Sequence, residues 1–276
     1  MIKFEHTLFA LPFAFLGALL AANGFPSLWQ TLWITVAMFG ARSAAMTFNR
    51  IVDRDLDAQN PRTAGRELPS GKLSVQFAWI FLFVSIALLV LAAYMLNWLT
   101  LVLSPVALVI VLGYSYAKRF TAFAHLFLGA ALAISPSAAW IAVRGSLDDI
   151  LPLLLSLFVL MWTAGFDVLY ACQDYEFDRR SGLRSIPAAF GIPRALWIAR
   201  LFHVQAFVAL VLLYGLSGLG WPALVGVIMV GVLLIYQHTL VSAKDLSRMN
   251  AAFFTTNAFV SVILLITFST AVFIAR

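Results

Sequence analysis

The sequence predicts an all-α, polytopic membrane protein with about nine transmembrane helices, and three observations carry that prediction. Of its 276 residues, 63% are hydrophobic and 11% charged, against roughly 45–50% and about 25% in soluble domains. The apolar residues fall into runs of about 20, the length that crosses a hydrocarbon core. Lys and Arg gather in alternate loops, as topology signals do. A soluble enzyme is excluded, and the excess of 18 Lys+Arg over 12 Asp+Glu reads as loop charge and anion contacts rather than a nucleic-acid surface. The whole chain, 1–276, is expected to be one transmembrane domain.

The first span, 7–23, follows Lys3. A cleaved signal would look similar, but the rest of the chain is equally apolar, so an uncleaved first helix is expected. The uncharged turn Asn23 to Ser27 leads into span two, 28–50, and a long charged segment, 50–74, separates it from span three, 75–95. Only Leu96 and Asn97 divide that span from the fourth, 97–117, which ends on Lys118 and Arg119. Spans five (123–143) and six (150–175) follow, then the charged segment 176–194. Spans seven (194–217) and eight (221–240) are joined by an uncharged turn, and the loop carrying Lys244 and Arg248 precedes span nine, 252–274.

Pro105, Pro136 and Gly165 fall inside spans, where neighbouring helices can satisfy freed backbone groups. Among the loop basics only Arg144 and Arg276 fall on the sparsely charged side. The positive-inside rule therefore puts the N-terminus in the cytoplasm and the C-terminus outside, in the inner membrane if the source is bacterial. The single cysteine, Cys172, can form neither an intrachain disulfide nor a cysteine metal cluster. His6, His125, His203 and His238 are scattered without ligand spacing and read as helix-bridging groups.

Two segments carry chemistry. After span two, Asn49, Asp53 and Asp57 recur at steps of four; at the end of span six, Asp167, Tyr170, Asp174 and Asp178 follow steps of three, four and four. On helices each set shares one face. Carboxylates at a membrane surface are unfavourable unless compensated, so two such faces call for a cation between them. Magnesium is held by one or two carboxylates together with substrate phosphates, which makes the pair a diphosphate clamp without a glycine-rich loop. Arg62, Arg66, Lys118, Arg119 and Arg184 interleave with the acids and can donate charge-assisted hydrogen bonds to phosphate oxygens. Asp55 and Glu176 fall off the acidic faces.

At these segments the chain resembles the UbiA superfamily of intramembrane prenyltransferases, whose signatures are NxxxDxxxD and DxxYxxxDxxxD. The opening KFEHTLFALPFAF, the PRTAGRELPSG loop, YAKRF at 116–120 and SIPAAFG extend the likeness over nearly the whole chain. The resemblance implies nine helices around a central cavity, with both acidic motifs in a cytosolic cap. Within the family, the wording around Tyr170 and Asp174 is similar to the 4-hydroxybenzoate polyprenyltransferase branch, including a subgroup that serves menaquinone synthesis by the futalosine route.

The activity so implied is magnesium-dependent transfer of a polyprenyl group from a prenyl diphosphate to an aromatic acid in quinone biosynthesis. A naphthoate acceptor is the alternative within the class, and a secondary transporter the alternative outside it. The metal set would be Asp53, Asp57, Asp174 and Asp178 with Asn49; Arg62, Arg66, Lys118 and Arg184 would meet phosphate, Asp167 would assist, and Tyr170 would face the allylic cation or the diphosphate. The partners expected are the two substrates and the bilayer, with no nucleic acid. Arg42 sits seven residues before Asn49 in an apolar span, on nearly the same helix face and roughly 10 Å deeper. An arginine there needs an anion or a wet cavity, and the carboxylate of the acceptor is the expected partner.

Overall fold

The computed structural model describes residues 7–275; Lys3, His6 and Arg276 lie outside them. The described residues form nine long helices: α1 (Thr7–Ala22), α2 (Leu28–Val52), α3 (Val75–Leu96), α4 (Trp98–Phe120), α5 (Ala124–Arg144), α6 (Leu151–Arg180), α7 (Ile192–Ser217), α8 (Trp221–Thr239) and α9 (Ala251–Ile274). Helices α3 to α9 are each long and apolar enough to cross a membrane. Helix α1 is shorter, and α2 carries Arg42 and Arg50. The chain is thus an all-helical, multi-pass membrane protein.

Capping sets several boundaries. Ser27 caps α2 through a reciprocal pair with Gln30, and Ser74 and Asn97 cap α3 and α4 by accepting from the backbone N–H three residues on, which satisfies donors that a helix start leaves open. Pro12, Pro105 and Pro136 lie within helices that continue past them.

Helix α6 is the most enclosed, with Leu155, Phe158 and Trp162 fully buried. It packs between α5 and α7, while α1 bridges α5 and α9, and α2 pairs with α3. Small residues allow these approaches: a Cβ on Gly129 of α5 would overlap the Leu160 carbonyl of α6, and one on Gly40 of α2 would meet the Ser85 carbonyl oxygen of α3 at 2.8 Å. Such contacts replace the hydrophobic drive that is missing between helices in lipid. The outer surface is apolar, with Leu28, Val109 and Ile235 exposed, as a lipid-facing surface requires. Helices α2 and α6 do not pair extensively; both line one cavity, whose wall includes both acidic motifs.

Candidate active site

Each acidic motif begins in a long helix and breaks at its middle aspartate. Helix α2 ends at Val52, and Asp53 (φ −94°, ψ 7°) leads into a short helix, Arg54–Gln59. In α6 a 3-10 turn, Cys172–Asp174, precedes the last segment, Tyr175–Arg180, with Asp174 at φ −96° and ψ 8°. The same bend in both places redirects the following turn, so that Asp57 and Asp178 become buried beside the first aspartates. Asp55 and Glu176 are exposed.

The cavity has a volume of about 450 Å³ and is lined by Asn49, Asp53, Asp57, Asp167, Tyr170, Asp174 and Asp178, and by Arg62, Arg66 and Lys118. Every acidic side chain at its rim already has a partner. Arg62 grips Asp174 with two parallel bonds, Nε to Oδ1 at 2.8 Å and Nη2 to Oδ2 at 2.5 Å, and Asn60 adds a third at 3.1 Å. Arg66 donates to both oxygens of Asp57 at 2.7 and 2.8 Å, and Arg50 stands 3.7 Å away. Asn49 donates to Asp53 at 2.8 Å, and Arg119 contacts it at 3.4 Å while capping the Val52 carbonyl at 2.7 Å. Lys118 lies 3.8 Å from Asp178, which also accepts from the Ser185 hydroxyl at 2.8 Å.

Asp167 pairs with buried His125 at 2.7 Å. The other ring nitrogen of His125 faces the Ile186 N–H at 3.3 Å, which can only donate; the ring proton therefore sits on Nδ1 and is donated to Asp167. Arg62 also reaches the Tyr170 hydroxyl at 3.2 Å, and its guanidinium lies over that ring, 5.2 Å from the centroid.

Burial, and next the neighbouring Asp57 carboxylate, raise the pKa of Asp53 above the ordinary aspartate value. Burial works to lower that of Arg62, but its hydrogen bond and ion pair with Asp174 prevail and raise it. At the rim, Asp53, Asp57, Asp167, Asp174 and Asp178 stand against Arg50, Arg62, Arg66, Lys118 and Arg119, five charges of each sign. A diphosphate added to this balance brings several negative charges without partners, which divalent cations can offset. The donors are hard oxygens suited to magnesium. Among the described residues no three His, Cys, Asp or Glu side chains converge on one point.

Arg42 lies deeper and makes no ion pair or hydrogen bond among the described residues, its buried Nε included. Arg184, expected among the phosphate contacts, stands outside the lining: its guanidinium donates to the Phe120 carbonyl at 2.8 Å and its backbone N–H to that of Lys118 at 2.7 Å, because the segment after α6 crosses the end of α4. Arg50, Asn60, Thr163 and Phe253 enter the cavity without a sequence signal. Phe253 packs 4.1 Å from Tyr170, centroid to centroid, and is presented by a π-turn, Ala251–Thr255, at the start of α9. A second, almost wholly apolar cavity of about 390 Å³ adjoins the first, and the two share Met38, Leu89, Ala107 and Ile134.

Residues 10–263 match the model of the UbiA prenyltransferase family. The chain is 31% identical over 240 residues to a 4-hydroxybenzoate octaprenyltransferase of Citrobacter koseri, covering 86% of this chain and 81% of that one. It is 33% identical over 241 residues to the corresponding Aeromonas salmonicida enzyme, covering 86% and 82%. Among solved structures, a UbiA homolog from Aeropyrum pernix K1, in its apo form, superposes with a TM-score of 0.89 at 35% identity over 97% of this chain and 98% of that one. A UbiA homolog from Archaeoglobus fulgidus, bound to GPP and Mg2+, shares the fold with a TM-score of 0.71 at 19% identity over 97% and 99% of the two chains.

Proposed function

Since the chain belongs to the UbiA prenyltransferase family, we propose that it transfers a polyprenyl group from a prenyl diphosphate to an aromatic acid, 4-hydroxybenzoate or a close relative, with magnesium as cofactor. One observation carries the reading: a rim of five aspartates and five basic side chains above the guanidinium of Arg42, which has no counter-ion among the described residues.

Asp53, Asp57, Asp174 and Asp178, with Asn49, supply the oxygens that would hold the metal. Bound magnesium would neutralise the diphosphate and stabilise the charge that develops on the leaving oxygen. Arg62, Arg66 and Lys118 exchange their carboxylate partners for phosphate oxygens, freeing Asp174, Asp57 and Asp178. The move of Arg62 also uncovers the face of Tyr170, which it overlies and which then faces the allylic carbon. The C–O bond breaks with its electron pair leaving on the diphosphate, a ring carbon of the acceptor bonds to the allylic carbon, and the ring loses a proton. Arg42 holds the acceptor's carboxylate. The prenyl tail extends into the adjoining apolar cavity and the lipid beyond.

The basic loops support a cytoplasmic location for the acidic end of the bundle. The test is product formation by the purified protein from a radiolabelled polyprenyl diphosphate, with and without magnesium, across 4-hydroxybenzoate and naphthoate acceptors. Prenylated acid formed only with magnesium is expected; no transfer to any of them would overturn the reading.

A further inference from the structure

Arg42 is not alone on the inner part of the cavity wall. Thr163 of α6 lines the same cavity, is fully buried, and its hydroxyl has no hydrogen-bond partner among the described residues. A helical threonine ordinarily returns its hydroxyl to the carbonyl one turn back, as Thr35, Thr267 and Thr270 do here at 2.7, 2.7 and 2.8 Å. Neither Thr163 nor Thr47 does so, but Thr47 lines neither cavity, whereas the Thr163 hydroxyl belongs to a residue of the cavity wall, where an entering polar group can relieve its burial.

Its place along the helix matches that of Arg42. Thr163 precedes Asp174 by eleven residues, and Arg42 precedes Asp53 by eleven. The two helices run in the same sense, both reaching the rim at those aspartates and bending there with nearly the same dihedral angles. At 1.5 Å per residue, both positions therefore lie about 16 Å along their helices below the paired acids, and both residues line the one cavity. A charged fork from one helix and a hydroxyl donor from the other describe a receptor for a carboxylate, which has two adjacent acceptor oxygens and one charge.

We propose that Thr163 is a specificity-determining residue of the acceptor site, its hydroxyl donating to one carboxylate oxygen of the aromatic acid while Arg42 holds the other. The inference rests on the reading that the acceptor is an aromatic acid. It fixes the acid end of the ring at the inner part of the cavity and turns the opposite end of the ring toward the rim, where the diphosphate departs. Neutral acceptors are disfavoured because the Arg42 guanidinium then meets no negative charge and its hydrogen bond is no longer charge-assisted.

The experiment compares Thr163→Val, which keeps the shape and removes the donor, with Thr163→Ser, which keeps the donor, using 4-hydroxybenzoate, its methyl ester and a polyprenyl diphosphate. Loss of a hydrogen bond to a charged group predicts an acceptor KM raised about tenfold or more in Thr163→Val. The KM for the prenyl diphosphate should stay within about twofold, Thr163→Ser should behave as wild type, and the preference for acid over ester should fall. If valine does not yield folded protein by thermal melting, Thr163→Ala is read in the same way. An unchanged acceptor KM, or an equal rise in both KM values, overturns the assignment while leaving the family activity intact. If the wild type prenylates no aromatic acid, the substrate class fails and the assignment with it.

Discussion

Replacing Arg62 with alanine tests the exchange of partners most directly, because one side chain occupies both Asp174 and the face of Tyr170. The guanidinium holds the two Asp174 oxygens at 2.8 and 2.5 Å, with the aspartate side chain 8% exposed and the arginine 33%. Hydrogen bonds to charged groups contribute about 1.5–3 kcal/mol, and the open side of Arg62 places this pair near the lower end. That is about tenfold in an equilibrium constant. Two opposite effects follow. Without substrate, divalent metal binds Arg62→Ala about tenfold more tightly, because nothing competes for Asp174, and the KM for prenyl diphosphate rises by a similar factor or more, because a phosphate partner is gone. Arg62→Lys keeps the charge without the two-pronged geometry and falls between. Titration calorimetry with Mg2+ measures the first effect and steady-state kinetics the second. Metal affinity and diphosphate KM both unchanged in Arg62→Ala would refute the reasoning.

Asp53→Asn and Asp174→Asn should each nearly abolish turnover while the protein still inserts and purifies; full activity of either in the presence of chelator is the contrary result. Metal must meet ionised Asp53, whose pKa is raised by burial and by Asp57, so apparent Mg2+ affinity is complete above that pKa and is lost as pH falls through it, beginning above the ordinary value of about 3.9. The same shift makes the protonated form the one that folding favours, so metal-free protein gains no stability from Asp53 as pH rises; initial rates at several Mg2+ concentrations and pH values, beside metal-free melting curves, check both statements. Arg42→Ala should raise the acceptor KM about tenfold with the prenyl diphosphate KM unchanged, whereas a lower melting temperature with both KM values unchanged would mark a structural arginine. Single cysteines at positions 66 and 244 in a Cys172→Ala background should be shielded from an impermeant reagent outside intact cells, and one at 148 should react; labelling at 66 would reverse the orientation.

The helices were legible because a hydrocarbon core imposes one strong rule, and the nine expected spans agree with the observed helices within a few residues. The acidic motifs were legible because their spacing is local. What the sequence does not contain is the bend at Asp53 and Asp174: a continuous helix also places residues four apart on one face. Partners were hidden for a related reason. Arg62 meets Asp174 across 112 residues, and Arg119 caps α2 from α4, so periodicity along one segment cannot reveal either. Arg184 shows the converse, a basic residue close to the second motif whose loop carries it away to the Phe120 carbonyl.

The balance at the rim also bears on the order of binding. Arg62 and Arg66 occupy Asp174 and Asp57, so on the proposed function metal arriving alone would displace these guanidinium groups from their carboxylates. Diphosphate arriving alone meets those groups only by stripping Asp57 and Asp174, buried carboxylates, of their counter-charge. On the proposed function each addition is opposed in the absence of the other, and together they exchange the Arg62, Arg66 and Lys118 pairs for contacts with metal and phosphate. By linkage, the factor by which prenyl diphosphate tightens metal binding must equal the factor by which metal tightens diphosphate binding. On the proposed function the two ligands favour each other's binding, and without them the carboxylates stay neutralised at a membrane surface where unpaired charge is disfavoured.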